Sequence, residues 1–257
     1  MQESAEEFLK HLKKDLHQHI DAFKEKIRSF KIGHIEDIDK FFDEYLDKLF
    51  DSKTDQRIFD SIKTLRFLEP HHVDGCKAIL DRMSLLEQMP KNAVVAEIGV
   101  DRGRFAERIY EVTQPQKLHL IDIFQYDYQL KSVDSIFDQK ENIEIHQVDS
   151  AEAGNLFNDE YFDWVYIDTT HTYERTKAEL NSFADKIKPG GFISGHDYFQ
   201  VGVSNGFSYG VMSAVHEFVV INNWKLYAVT LEPLENQSFV IQKPDKFFEE
   251  LSKYPKW

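Results

Sequence analysis

The chain has 257 residues, 42% of them hydrophobic and 14% aromatic, which is enough to bury a core in one large domain or in one domain with an extension. The formal net charge of −14 argues against nucleic-acid binding by phosphate neutralisation, and a single cysteine, Cys76, excludes an internal disulfide. No window approaches the ~18 consecutive apolar residues of a membrane span, and residues 1–30 lack a signal peptide's apolar core, so we expect a cytoplasmic protein that does not bind membranes.

The first third of the chain has helical periodicity. Apolar residues recur every three or four positions through residues 8–30 and 35–51, and a third helical stretch at 55–68 ends just before Glu69-Pro70. The pattern predicts an all-helical extension over residues 1–68. This extension serves either in packing or homodimer formation, or as a lid or acceptor-binding element. Residues 69–257 then form the second domain.

From about residue 77 the pattern changes to short β-type runs separated by helical segments, which is typical of βαβ units and a mostly parallel sheet. Seven strands are predicted, at residues 94–98, 118–122, 143–148, 164–168, 192–195, 225–230 and 238–242. Only residues 231–237 separate the last two strands. Because this connection is too short for a helical crossover, these strands should be antiparallel neighbours.

A glycine-containing turn follows the first predicted strand. Glu97, Gly99 and Gly103 lie in this turn, and a helix is predicted from Arg104. Glycine allows a sharp turn and a close approach of the backbone to a ligand, as in nucleotide-binding strand-turn-helix units. Asp122 ends the next strand, about 20 residues further on, where an acidic side chain binds the ribose hydroxyls in such units.

The other predicted strands also end in polar residues. Ligands of open α/β sheets bind beyond the carboxyl ends of the strands, so these positions are candidate site residues. Asp149 and Ser150 close the third strand, where Asp149 would lie on the adenine side of a nucleoside. The alternative is that Asp149 caps a helix, which both Asp and Ser also favour.

These residues resemble those of class I S-adenosylmethionine-dependent methyltransferases. The resemblance covers roughly residues 77–242 and rests on the turn at 97–103, Asp122, Asp149, the run 163–168 and the Lys-Pro-Gly-Gly at 188–191. It implies an α/β, doubly wound, mostly parallel seven-stranded Rossmann-like sheet with an antiparallel final strand pair beside the helical extension. It also implies S-adenosylmethionine as cofactor, with Glu97, Gly99, Gly103, Asp122, Asp149 and Ser150 as the cofactor-binding residues.

More narrowly, residues 168–174, 195–198 and 210–218 resemble the branch of antibiotic-sugar O-methyltransferases and cephalosporin-hydroxylase-like proteins. That branch implies a divalent metal, magnesium or manganese, on Asp168 and Asp197, with His196 where a carboxylate is common. Two carboxylates are adequate for Mg²⁺, whereas a histidine ligand favours a softer ion. The alternative is that His196 and Asp197 only form hydrogen bonds with the loop and the acceptor.

The same resemblance places a general base at His171, three residues after Asp168. A histidine can accept the proton of a hydroxyl near neutral pH, so we expect methyl transfer to a hydroxyl of a small oxygen-rich acceptor, a sugar or natural product. The alternative is that His171 only starts a helix and is hydrogen-bonded to backbone. Two other functions are a catalytically silent module that recruits a partner, and an NAD-dependent oxidoreductase, which the missing middle glycine of Gly-x-Gly-x-x-Gly disfavours.

Overall fold

A computed structural model describes residues 66–199, 209–232 and 237–245. The predicted extension at residues 1–68 lies almost entirely outside the described residues, as does most of the glycine-rich loop at 201–210. Within the described ranges, no helix is both long enough and apolar enough to cross a membrane.

The described residues form eight strands, six helices and one 3-10 helix. The strands are β1 Lys77–Ile79, β2 Val94–Ile98, β3 Lys117–Asp122, β4 Ile143–Gln147, β5 Phe162–Ile167, β6 Ile187–Gly195, β7 Lys225–Thr230 and β8 Phe239–Gln242. The helices are α1 Pro70–Val73, α2 Arg82–Gln88, α3 Arg104–Thr113, α4 Asp127–Ile136, α5 Tyr173–Ala184 and α6 Val211–Asn222, and the 3-10 helix is Ala153–Leu156.

All eight strands form one sheet in the order β1-β7-β8-β6-β5-β2-β3-β4. Every pairing is parallel except those of β8, which runs antiparallel to both β6 and β7. The seven predicted strands and the antiparallel final pair are confirmed, but the count of seven is wrong by one. The extra strand, β1, has only three residues and pairs with β7, so its hydrophobic pattern is too short to be recognised.

Helices cover both faces of the sheet. Alternate residues of the central strands point to opposite faces, and the apolar side chains on each face are buried against helices. Val95 and Trp164 pack with the buried residues of α2, α3 and α4. Their neighbours Ala96 and Val165 pack with those of α5 and α6. The domain is therefore doubly wound, as predicted.

The topology creates a crevice at the carboxyl end of β2. The chain passes from β2 to β3 on one side and later crosses to β5 on the other, and β2 pairs in parallel with both strands. Ile98 is in register with Ile121 and Ile167, so the residues that follow these strands emerge side by side. Such a switch point is where open α/β sheets bind ligands.

Candidate active site

The turn after β2 requires glycine at its first position. Gly99 has φ +90°, and a Cβ there would lie 2.0 Å from the carbonyl oxygen of Asp168. No side chain can occupy that space without moving the backbone at the end of β5. Gly103, with φ +78°, immediately precedes α3, which begins at Arg104 as predicted. The first amide groups of α3 have no partner within the helix.

Asp122 fixes the shape of this turn. One oxygen of its carboxylate accepts hydrogen bonds from the backbone N–H groups of Val100 and Asp101, at 2.8 and 3.0 Å. The other oxygen accepts from the N–H of Phe124 at 2.8 Å. The acidic side chain at the end of β3 therefore ties two adjacent loops together, and it also lines the crevice.

Two clefts open on either side of the turn and share Gly99, Asp101 and Asp168. The first has a volume of about 290 Å³ and lies toward β3 and β4. Of the predicted cofactor-binding residues, it is lined by Gly99, Asp122, Asp149 and Ser150. The second has a volume of about 560 Å³ and is lined by Glu97, Phe105 and four arginines, Arg82, Arg102, Arg104 and Arg108. Gly103 lines neither of these clefts; it ends the turn between them.

Glu97 is an acidic side chain with an unusual environment. It is only 1% exposed, and its Oε2 atom is buried without a hydrogen-bond partner. Burial, together with repulsion from Asp168 and Asp122, raises its pKa well above the ordinary value. A buried, unpartnered acid in a cleft wall is suited to receive a donor from a ligand.

Asp149 is paired with Arg175 of α5, a residue that sequence reasoning missed. The Arg175 guanidinium donates to Asp149 Oδ1 at 2.5 Å, and this hydrogen bond lowers the pKa of Asp149. The same oxygen accepts from the N–H of Ala151 at 2.9 Å, which is a contact within the turn. The following 3-10 helix has Glu152 as its N-cap, so the predicted alternative that Asp149 caps a helix is wrong. A basic residue on the first turn of a helix has no sequence signal that points to a partner in another loop.

A second missed residue, Glu179, lies fully buried on α5. It accepts hydrogen bonds from the hydroxyls of Ser150 at 2.5 Å and Thr169 at 2.8 Å. Burial raises the pKa of Glu179, while the two hydroxyls oppose that shift. Ser150 thus uses its hydroxyl to hold the loop after β4, and it remains part of the cleft lining.

The loops after β5 and β6 bring a group of acids and histidines together. His171 Nδ1 lies 3.0 Å from Asp197 Oδ2, and His196 Nδ1 lies 3.1 Å from Asp197 Oδ1. Burial would raise the pKa of Asp197, but the hydrogen bonds from both histidines outweigh it and lower the pKa to about 2. Burial would likewise lower the pKa of His171, but Asp197 and then Asp168 raise it on balance. The pKa of Asp168 is raised, mainly by burial.

His171 is held by its backbone as well as by its ring. Its carbonyl accepts a hydrogen bond from the N–H of Gly210 at 2.9 Å, and its ring stacks on Tyr209 at 5.5 Å between centroids. It precedes Thr172, the N-cap of α5. Among the residues that the structure describes, the imidazole pairs with Asp197 and not with backbone, unlike the predicted helix-start alternative.

Three donor atoms in this group are placed to share a metal ion. Each of Asp168, His171 and Asp197 offers one ligand atom, and the three atoms lie within 4.8 Å of one another. The predicted set was Asp168, His196 and Asp197, and the fold does bring these side chains together. However, His196 Nδ1 is 3.9 Å from Asp168 Oδ2, and its Nε2 is buried without a partner. His171 therefore joins the candidate ligands.

Part of the chain is similar to known proteins. Residues 96–198, from the middle of β2 to the loop after β6, match the family model described as a methyltransferase domain. This segment is therefore similar to methyltransferase domains. No curated protein matches the chain.

The described domain also has the fold of a solved methyltransferase structure. An S-adenosylmethionine-dependent methyltransferase from Methanosarcina mazei superposes with a TM-score of 0.50 at 10% identity, covering 63% of this chain and 97% of that one. A ribosomal protein L11 methylase from Lactobacillus delbrueckii subsp. bulgaricus has a TM-score of 0.48 at 13% identity, over 63% and 76% of the two chains. Aeropyrum pernix fibrillarin with natively bound S-adenosyl-L-methionine has a TM-score of 0.49 at 12% identity, over 62% and 73%.

Proposed function

We propose that the chain transfers a methyl group from S-adenosylmethionine to a hydroxyl of a small oxygen-rich acceptor, such as a sugar or natural product. The observation that carries this proposal is the pairing of His171 with Asp197 beside Asp168, at the carboxyl end of the methyltransferase sheet. This arrangement of a base oriented by a carboxylate suits the removal of a hydroxyl proton.

The two clefts suit the two halves of S-adenosylmethionine. The nucleoside would lie in the cleft beside Asp122 and Asp149, whose acceptor oxygens match ribose hydroxyls and an exocyclic amine. The methionine end would lie across the turn, where Glu97 offers an unpartnered oxygen to its ammonium group. The amino end of α3 and Arg104 would face the carboxylate, because helix amino termini bind anions.

His171 is the proposed general base. Its Nδ1–H donates to Asp197, which leaves the lone pair on Nε2 available for the acceptor's hydroxyl proton. When bound, S-adenosylmethionine supplies an electrophilic methyl group. The protein's contribution is to hold the hydroxyl in line with that group and to remove its proton as the new bond forms. The pair with Asp197 stabilises the imidazolium that results.

A divalent metal fits beside this base. Asp168 and Asp197 would hold Mg²⁺, which needs only one or two protein carboxylates along with water and substrate oxygens. A nitrogen ligand, from His196 while His171 acts as base, would favour Mn²⁺ instead. The metal would lower the pKa of the acceptor hydroxyl and fix its position.

The acceptor class is inferred from the resemblance of residues 168–174 and 195–198 to antibiotic-sugar O-methyltransferases. The net charge of −14 favours a small molecule over a nucleic acid as partner. A homodimer formed through residues 1–68 and a cytoplasmic location belong to the same proposal. The methyltransferase match does not favour the silent module considered above.

Calorimetric titration tests the cofactor. S-Adenosylmethionine and S-adenosylhomocysteine are titrated into the full chain with and without Mg²⁺ or Mn²⁺, and we expect micromolar binding. In Asp122→Asn an amide nitrogen cannot accept from the turn, so affinity should fall roughly 10- to 100-fold, whereas the exposed Asp134→Asn should bind normally. Binding would justify an acceptor screen among hydroxylated sugars, and its absence in the wild-type protein would contradict the proposal.

A further inference from the structure

A second cluster of metal-ligating side chains lies away from the crevice, on one face of β3 and β4. His119 of β3 is in register with Glu144 of the edge strand β4, and His146 follows two residues later on the same face. None of the three residues lines the two clefts described above. The cluster therefore takes no part in the proposed methyl transfer.

The three ligand atoms converge on one point. His119 Nδ1 lies 2.9 Å from His146 Nε2 and 3.3 Å from Glu144 Oε2, and His146 Nε2 lies 3.8 Å from Glu144 Oε2. Ligand atoms about 2.0–2.1 Å from a tetrahedral zinc ion are separated from one another by about 3.3 Å. The three observed separations lie on both sides of that value, so the cluster closes around a zinc-sized ion with little movement.

The outer contacts orient these ligand atoms. His119 Nε2 lies 3.1 Å from the Tyr161 hydroxyl, and donation to that oxygen leaves the lone pair of His119 on Nδ1, toward the cluster. Lys117 donates to Glu144 Oε1 at 2.5 Å, which leaves Oε2 for the ion. The ring of Phe157 packs edge-on against both histidines. Ligating histidines in metalloproteins are commonly held by such outer contacts.

The three side chains of the cluster become more exposed from the interior toward the solvent. The His119 side chain is 2% exposed, that of His146 is 21% and that of Glu144 is 48%. The ion would enter beside Glu144, where a water molecule can complete its coordination. Two imidazoles and one carboxylate form a ligand set that favours Zn²⁺ over Mg²⁺ or Ca²⁺.

We propose that His119, Glu144 and His146 form a zinc site that fastens the edge strand β4 to β3. The same ion would also hold the segment that carries Phe157 and Tyr161, because both side chains contact the histidines. Without an ion, the short distance between the two histidines is a hydrogen bond in which one ring donates to the other. The two arrangements differ in metal affinity and in the effect of zinc on stability.

The experiment uses the full chain after metal removal, in a His171→Gln, His196→Gln background so that the crevice supplies no histidine ligand. Zinc is titrated by competition with a chromophoric chelator, and Co²⁺ serves as a spectroscopic probe. We expect one equivalent to bind, with Co²⁺ giving the visible absorption of a tetrahedral nitrogen and oxygen site. Zinc should also raise the thermal midpoint of unfolding, because it binds only the folded state.

Glu144→Gln and His146→Gln should each weaken zinc binding at least about tenfold and abolish the thermal shift. The matched controls Glu141→Gln and His71→Gln, at exposed positions outside the cluster, should change neither. Glu144 is half exposed, so Glu144→Gln keeps the fold even if the variant at the partly buried His146 does not. Zinc binding that is absent, or unchanged in Glu144→Gln and His146→Gln, would overturn the proposal. Binding of S-adenosylmethionine in the same variants tests the proposed function separately.

Discussion

His171 Nδ1 lies 3.0 Å from Asp197 Oδ2, and both residues have left-handed backbone conformations, with φ of +59° and +53°. Such conformations are uncommon outside glycine and cost about 1–3 kcal/mol each. In these conformations the two side chains, which follow the ends of different strands, point toward each other. The strain is retained because the surrounding hydrogen bonds over-determine both loops, as at many functional sites.

The first prediction concerns this base. His171→Gln keeps a polar side chain of similar size but cannot accept the acceptor's proton, so turnover should fall about 10²- to 10⁴-fold. Binding of S-adenosylhomocysteine should change little, because the proposed nucleoside contacts lie on Asp122 and Asp149. Product formation and calorimetric binding are measured on the same preparation, with His71→Gln as the histidine control. Full turnover in His171→Gln would assign the proton transfer to another group.

The second prediction concerns stability against pH. The pKa of Asp197 is lowered to about 2 from 3.8, so its contribution is fully present above pH 3.8 and is lost as pH falls toward 2. The pKa of His171 is raised above 6.5, so its contribution is present below pH 6.5 and is lost as pH rises through the folded value. Asp197→Asn should therefore lower the free energy of unfolding most between these limits, at about pH 4 to 6.5.

Urea unfolding of the wild type and Asp197→Asn near pH 3, 5 and 9 measures this difference. The gap in the free energy of unfolding should be widest near pH 5 and narrower on both sides. Asp134→Asn, at an exposed position on α4, is the control for the loss of one carboxylate. A gap that does not vary with pH would mean that the ion pair does not contribute through its charge.

The fold could be predicted from the sequence because its signals are local. Seven strands, the helix from Arg104 and the antiparallel final pair follow from hydrophobic period, glycine placement and loop length. β1 was missed because three residues are too few to show a period.

The candidate site could be predicted only in part. Acids and histidines at strand ends were found, since the sheet brings such ends together. The partners of Asp149 and Ser150 were not found, because Arg175 and Glu179 reach them from a helix about 26–29 residues away. Long-range pairs of this kind cannot be recognised in a single sequence. The left-handed conformations of His171 and Asp197 could not be predicted either, because they are imposed by the packing of the loops.

The third prediction concerns Gly99. Gly99→Ala meets two penalties, a left-handed φ of +90° and a Cβ placed 2.0 Å from the Asp168 carbonyl oxygen. Gly75→Ala is a matched control, because Gly75 has φ +77° with no atom within 4 Å of its added Cβ. The control should lose about 1–2 kcal/mol of unfolding free energy. Gly99→Ala should lose at least about 2 kcal/mol more, since the clash is with backbone.

Chemical denaturation measures both glycine variants, and calorimetry then measures their affinity for S-adenosylhomocysteine. Gly99→Ala should bind more weakly, because relief of the clash displaces Asp168 or the turn. Equal stability of the two variants would show that the backbone at the end of β5 moves to accommodate the added methyl group without a loss of stability. Glycine would then be needed at position 99 only for its backbone conformation.

The last prediction separates stability from binding at Glu97. The pKa of this buried acid is raised well above 4.5, so the folded state retains a proton that the unfolded state releases. For an acid with a raised pKa, the free energy of unfolding declines as pH rises above the unfolded value, until the folded value is reached. Glu97→Gln is isosteric and carries no titratable proton, so it removes that decline.

Glu97→Gln should therefore be more stable than the wild type near pH 8 and differ less near pH 5, as thermal unfolding at the two pH values would show. Its affinity for S-adenosylmethionine should fall roughly tenfold or more, because the amide of the variant cannot give up a proton when the ligand binds and so cannot form an ion pair with the ligand's ammonium group. Glu141→Gln, at an exposed position, should change neither quantity. A variant that is both more stable and binds as tightly would remove Glu97 from the cofactor site, whereas a stability gain with weaker binding is the trade-off typical of a buried functional acid.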